Sequence, residues 1–176
     1  MFLVDGNNLL LLGVRLPLGS QEKRLGDMRK LLSVCRHLAL IDESFICYFD
    51  RSVPYILDGH DRDLLELLLT EHPRFFKLAA EGKSADEYLI MIAGQQDLRI
   101  ISHDRYRNSG QRSDNKRTTR WRDHYPWLAD PGRLITAELI GRQIGLDDLG
   151  PVDWESQSAF DHYGDLEEIL ADLDNR

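Results

Sequence analysis

The chain has 176 residues, 42% hydrophobic and 30% charged, enough for one domain with a real core and too evenly polar for a run of about 18 apolar residues that could span a membrane. A net charge of −8 argues against nonspecific nucleic-acid binding by the surface as a whole. Two cysteines, Cys35 and Cys47, lie in apolar runs and read as buried thiols rather than a disulfide or zinc pair, so a reducing, cytoplasmic compartment is expected.

In chain order, residues 2–4 form an apolar run that reads as a buried strand. Residues 9–20 read as a connection broken by Pro17 and Gly19, and Asp5 and Arg15 spoil any secretory leader. Residues 21–40 predict a helix, with Leu25, Met28, Leu32, Cys35 and Ala39 on one stripe. A second strand is expected over 45–49, ending at Asp50-Arg51. A second helix follows over 64–69, with the acids of 58–63 at its start, and a third strand over 75–78. Ser84 and Glu87 have capping-box spacing, which opens a helix to about Ala93 with a stop near Gly94. Residues 98–102 read as a fourth strand, 105–118 as a polar loop and 120–128 as a short helix. Residues 134–144 fit strand or helix, because Gly141 and Gly145 weaken both. This β-α alternation predicts an α/β fold of Rossmann-like type, a parallel sheet with helices on both faces. Residues 1–150 are taken as one domain. Residues 151–176 form an acidic C-terminal extension with eight acids and one base, whose Leu166, Ile169, Leu170 and Leu173 suggest a short packed helix.

Three acidic clusters stand where a strand hands over to a loop or a helix: Asp5 after 2–4, Asp86 at the start of a helix, and Asp104 after 98–102. In an open α/β sheet the carboxyl ends of the strands face one crevice. Carboxylates gathered there repel one another unless a cation sits between them, and hard oxygen ligands suit Mg²⁺ or Mn²⁺. Asp50, at the end of the second strand, is a fourth acid for the same edge. Singly, each has a structural reading: Asp5 as a turn former before Gly6, Asp86 as a first-turn acid, Glu87 as half of a capping box, Asp104 as a cap. Their joint placement points to a metal-dependent phosphoryl-transfer site. No histidine spacing fits zinc, and there is no glycine-rich phosphate loop. A phosphatase of the haloacid dehalogenase type would need an acid where Asn7 stands.

Residues 105–122 hold Arg105, Arg107, Arg112, Lys116, Arg117, Arg120 and Arg122 against Asp114 alone, a net +6 that leaves −14 on the rest. A basic segment next to Asp104 reads either as a local polyanion site or as a solvated loop; if the polyanion is a nucleic acid, the segment grips its phosphates and Tyr106 or Trp121 stacks on a base.

The segments Phe2-Leu3-Val4-Asp5-Gly6-Asn7-Asn8, Ser84-Ala85-Asp86-Glu87-Tyr88-Leu89-Ile90 and Ile100-Ile101-Ser102-His103-Asp104-Arg105-Tyr106-Arg107-Asn108 resemble the NYN branch of the PIN-like nucleases. The third is especially similar to the CCCH zinc-finger ribonucleases of the Regnase type. The resemblance implies a PIN/NYN fold and a Mg²⁺- or Mn²⁺-dependent ribonuclease that cuts RNA internally, leaving a 5′-phosphate and a 3′-hydroxyl. It assigns Asp5, Asp86 and Asp104 to metal, Glu87 to the second acid of an adjacent pair, and Asn8 to a place near the metal. Asn108 stands where that type has another aspartate, and the zinc finger is missing, so RNA capture falls to the domain or to a second copy or protein partner. A nucleic-acid-binding module with a vestigial site, working in a toxin–antitoxin or RNA-processing complex, is the alternative.

Overall fold

The computed structural model describes residues 1–14, 25–104, 106 and 121–174. Strand β1 (Phe2–Asp5) passes directly into a short helix, α1 (Gly6–Leu10). Asp5 is both the end of the strand and the N-cap, its Oδ1 accepting from the Asn8 N–H at 3.1 Å. Gly6 is needed at this junction because a Cβ there would lie 2.4 Å from the Phe49 ring and 2.9 Å from Cys47 Sγ. Gly6→Ala is therefore expected to cost roughly 1–3 kcal/mol through overpacking, read from urea unfolding midpoints.

Helix α2 (Met28–Leu40) begins later than the stripe of apolar residues predicts. Gly26 donates to the Ile56 carbonyl at 2.6 Å and Asp27 to the Leu10 carbonyl at 3.0 Å, which ties residues 25–27 to neighbouring loops, and the Asp27 carboxylate caps the helix. Residues 21–24 lie outside the described residues. Strand β2 (Phe45–Phe49) leads through a short 3-10 turn to α3 (Gly59–Glu71), whose N-cap is Asp58; the acidic stretch expected to precede this helix is its first turn. Asp61 there also accepts from the Met28 N–H at 2.9 Å, joining the starts of α2 and α3. Strand β3 (Phe76–Leu78) is followed by α4 (Ala85–Gln96), β4 (Arg99–Ser102) and the short α5 (Trp121–His124).

Helix α4 runs through Gly94 instead of stopping there. The indole of Trp127 lies on that glycine, where a Cβ would come within 2.8 Å of Nε1. The stop comes at Asp97, which adopts left-handed backbone with φ 56° and is held by Arg133. Residues 134–146 resolve into a hairpin, β5 (Leu134–Ile140) and β6 (Gln143–Leu146), because Gly141 takes φ 60° at the turn. Strand β7 (Gly150–Asp153) and α6 (Ala159–Asp174) complete the described chain.

The sheet order is β3-β2-β1-β4-β5-β6-β7; β3 to β5 pair in parallel, and β6 and β7 extend the sheet antiparallel. Side chains alternate between the faces of a strand. Phe2, Val4, Cys47, Phe49 and Ile101 meet α2, α3 and α6 on one face, while Leu3, Tyr48 and Ile100 meet Leu89, Ile90 and Ala93 of α4 on the other. Continued by one residue, this period sends Asp5, Asp50 and Ser102 to the α4 face. Leu166 and Leu170 of α6 are fully buried in the first cluster, so the acidic extension contributes a helix packed against α2, after its first residues have joined the sheet as part of β7. Among the described residues no helix is long and apolar enough to cross a membrane.

Candidate functional site

The carboxyl ends of β1, β2 and β4 and the N-terminus of α4 bring Asp5, Asp50, Asp86 and Asp104 to one edge. Asp5 is fully buried. Its Oδ2 accepts from Asn8 Nδ2 at 2.5 Å, from Ser102 Oγ at 2.8 Å and from the Tyr106 hydroxyl at 3.0 Å. Burial raises the Asp5 pKa, and these donors oppose the rise.

Asp50 is placed by its neighbours. Its N–H donates to Asn7 Oδ1 at 2.9 Å, which ties the end of β2 to the turn after β1. Its Oδ1 accepts from the Ala85 N–H at 2.5 Å, so Asp50 holds the first turn of α4. That turn carries Asp86. Burial first, then the charges of Asp5, Asp104 and Asp50 and a shared hydrogen bond with Asp5, lift the Asp86 carboxyl to about 8. Asp104 is set by Ser102 Oγ, which accepts its N–H at 3.0 Å, and its own Oδ1 accepts from the Tyr106 N–H at 2.8 Å.

The sequence-derived set is thus brought together in part. Asp5, Asn8, Asp50, Asp86 and Asp104 converge. Glu87 does not join them: its N–H donates to Ser84 Oγ at 3.2 Å and its carboxylate lies 3.8 Å from Lys83 Nζ, so it serves the capping box and an ion pair. Of the basic residues, Arg105, Arg107, Arg112, Lys116, Arg117 and Arg120 lie outside the described residues; Arg122 is on α5 and lines a shallow cleft with Asp130 and Asp147.

Tyr106 requires a correction. It has no exposed surface and its hydroxyl is bound to Asp5, so it cannot stack on a substrate base. Its burial, with Asp5 and Asp86 beside it, raises its pKa well above the usual phenol range and keeps it a donor. Trp121 remains half-buried against Tyr125, ring centroids 5.9 Å apart. Asn7, Ser102 and Tyr106 are the positioning residues that sequence reasoning missed. The period-2 alternation that puts Ser102 on the Asp5 face was the available signal for one of them.

The donor set is all oxygen and mutually repulsive, which is the chemistry of a hard-cation site. Among the described residues, no three His, Cys, Asp or Glu stand close enough to hold a metal ion as they are arranged. Asp5 is engaged by Asn8, Ser102, Tyr106 and Asp86, so a cation would have to replace the proton shared with Asp86.

No protein-family model matches the sequence, and no curated protein matches it. Two solved structures of the nuclear protein-only RNase P 2 of Arabidopsis thaliana are similar in fold. One aligns with a TM-score of 0.54 at 16% identity over 82% of this chain and 29% of that one. The other aligns with a TM-score of 0.58 at 14% identity over 85% of this chain and 30% of that one. The chain therefore spans under a third of the length of the proteins it resembles. Together with the strand order and the edge that gathers the acids, this likeness shows that the chain has a PIN-like α/β fold.

Proposed function

We propose that the chain is a divalent-cation-dependent ribonuclease that cuts RNA internally and leaves a 5′-phosphate and a 3′-hydroxyl. The observation that carries this reading is the convergence of Asp5, Asp50, Asp86 and Asp104 on one sheet edge, where burial first and then the other three carboxylates push the Asp86 carboxyl up to about 8. The PIN-like fold and its occurrence in an RNase P support it. The closer relation to the Regnase type rests on the third sequence motif, residues 100–108.

Asp5, Asp86 and Asp104 would hold Mg²⁺ or Mn²⁺, with Asp50 beside them. When bound, the cation supplies Lewis-acid polarisation of a phosphoryl oxygen and positive charge for the transition state. This chain's residues do the rest. Asn8, Ser102 and Tyr106 fix the Asp5 carboxylate so that it cannot turn away from the edge. Asp50 fixes the start of α4, and with it the direction of Asp86. Asp86 gives up its proton when positive charge arrives. The basic segment from Arg105 to Arg122 takes the backbone phosphates, and the free thiols Cys35 and Cys47 suit a cytoplasmic setting.

Replacing Arg117, Arg120 and Arg122 with Ala is expected to lower the salt slope of RNA binding by roughly one unit for each phosphate that is no longer neutralised. An unchanged slope in filter-binding titrations would leave that segment as a solvated loop. The reading as a whole is tested with end-labelled single-stranded RNA and DNA in Mg²⁺, Mn²⁺ or chelator. RNA cut only with cation, to 5′-phosphate ends, supports it; cutting that persists in chelator contradicts it. The alternative, a nucleic-acid-binding module with a vestigial site, draws on the fact that no three acids among the described residues are spaced for a metal. It predicts RNA binding with no cleavage in any cation.

A further inference from the structure

The turn that follows β2 presents an aromatic ring beside the acidic edge. Tyr55 is 70% exposed, whereas Tyr106 is buried and Trp121 is half-buried against Tyr125. Tyr55 lies in the 3-10 turn Val53–Ile56, five residues after Asp50. That length of chain limits the separation of the two Cα atoms to about 18 Å, and the coiled backbone shortens it.

The ring stands on a fixed base. The Asp50 carbonyl accepts from the Val53 N–H at 3.0 Å, and the Ser52 carbonyl accepts from the Tyr55 N–H at 3.0 Å. Val53 and Leu57 are buried in the core on either side of Tyr55, which turns its ring outward. Arg62 of α3 donates to the Pro54 carbonyl at 3.1 Å and to the Leu57 carbonyl at 3.3 Å. The Ile56 carbonyl accepts from the Gly26 N–H at 2.6 Å. The backbone that carries the ring is therefore tied to β2, to α3 and to the approach to α2. A ring held this way loses little freedom when a ligand stacks on it.

The charges around it suit a nucleic-acid strand. Arg51 is exposed and directly follows Asp50. The carboxylates at the start of α3 serve as caps: Asp58 Oδ1 accepts from the Asp61 N–H at 3.0 Å, and Asp61 Oδ2 accepts from the Met28 N–H at 2.9 Å. We infer that Tyr55 stacks on a base of the RNA strand, a few nucleotides from the phosphate that meets the carboxylates, and that Arg51 takes a backbone phosphate between these two points. Stacking uses the face of the base, which every base has, so this contact fixes the path of the strand without selecting its sequence. The inference rests on the ribonuclease reading for its substrate class.

The test is fluorescence anisotropy in chelator, so that binding is read without cleavage. The probes are a labelled single-stranded RNA decamer of mixed sequence and a decamer of the same backbone without bases. Tyr55→Ala is expected to weaken binding of the RNA decamer roughly tenfold, and Tyr55→Phe to leave it within about twofold of wild type. Neither removes a charge, so neither should move the salt slope of binding, while Arg51→Ala should lower that slope by about one unit. On the strand without bases, wild type and Tyr55→Ala should bind alike. Thermal melts check that the variants keep the fold. Unchanged affinity in Tyr55→Ala, equal weakening in Tyr55→Phe, a Tyr55 effect that persists on the strand without bases, or absence of RNA binding by the wild type overturns the inference. An unchanged slope in Arg51→Ala overturns the phosphate contact. If the Tyr55 effect is seen while the wild type cuts no RNA in Mg²⁺ or Mn²⁺, the nuclease reading falls and the stacking site stands. If cleavage is intact and Tyr55→Ala binds as wild type does, the stacking site alone falls.

Discussion

Asp104→Asn is expected to reduce cation-dependent RNA cleavage by more than about a hundredfold, above what loss of a group that merely supports a metal ligand costs. The substitution is close to neutral for the fold, because the asparagine oxygen can still accept the Tyr106 N–H that Asp104 Oδ1 accepts at 2.8 Å. Asp5→Asn should abolish cleavage as well, but it is a harsher change. Three donors point at Oδ2 of Asp5, from Asn8, Ser102 and Tyr106, and an amide nitrogen in that place would face them with hydrogens of its own. Hydroxyls of Ser102 and Tyr106 can turn to accept, so the damage is limited to one or two hydrogen bonds, each worth about 1 kcal/mol. Single-turnover cleavage with thermal melts on both variants separates the two effects. Full activity in Asp104→Asn contradicts the assignment.

The second large effect is on stability against pH, in chelator. Asp86 is lifted from 3.8 to about 8, first by burial and then by its neighbouring carboxylates. The sign follows from proton counting. Between these values the folded protein holds a proton that the unfolded chain has lost, so stability falls as pH rises. The contribution is complete below about pH 4 and is gone above about pH 8. One proton corresponds to about 1.4 kcal/mol per pH unit, and sharing with Asp5 and partial solvent access reduce the total to a few kcal/mol. Asp86→Asn mimics the neutral form and should flatten the curve. Near pH 8 it is expected to be the more stable protein, and the difference should be much smaller near pH 5 and vanish near pH 4. Mg²⁺ should restore wild-type stability at pH 8 and do little at pH 5, where protons compete. Urea unfolding at the two pH values checks this, and parallel curves for the two proteins would contradict it.

Much of this arrangement was legible in the sequence because the central strands are short, nearly continuous apolar runs followed closely by acids. Phe2, Leu3 and Val4 are buried on both faces, as a central parallel strand must be, and Asp5 follows directly. The capping box at Ser84 and Glu87 gave the start of α4 within a residue. It also made Glu87 ambiguous, and the structure leaves that carboxylate with Lys83. The motifs supplied the acids but not their supports. Asn7 reads as a turn residue, and only the approach of β2 to β1 shows that it holds Asp50. Tyr106 sits in a basic stretch that looks solvent-facing, and its burial depends on contacts from β1 and α4. Gly94 reads as a helix stop until Trp127, 33 residues further on, is found lying on it. The hairpin at Gly141 and the antiparallel β7 were hidden for a similar reason: short strands with glycines are settled by their pairing partners rather than by their own pattern.

If the edge formed by Asp5, Asp50, Asp86 and Asp104 binds a divalent cation, the cation displaces the proton that the raised Asp86 carboxyl holds near neutral pH. Calorimetric titration of Mn²⁺ into the protein at pH 7, repeated in buffers of different ionisation enthalpy, measures cation binding and proton release together. The account predicts one cation bound with close to one proton released, and release that disappears in Asp86→Asn. Absence of binding by the wild type, or binding with no proton released, would contradict it.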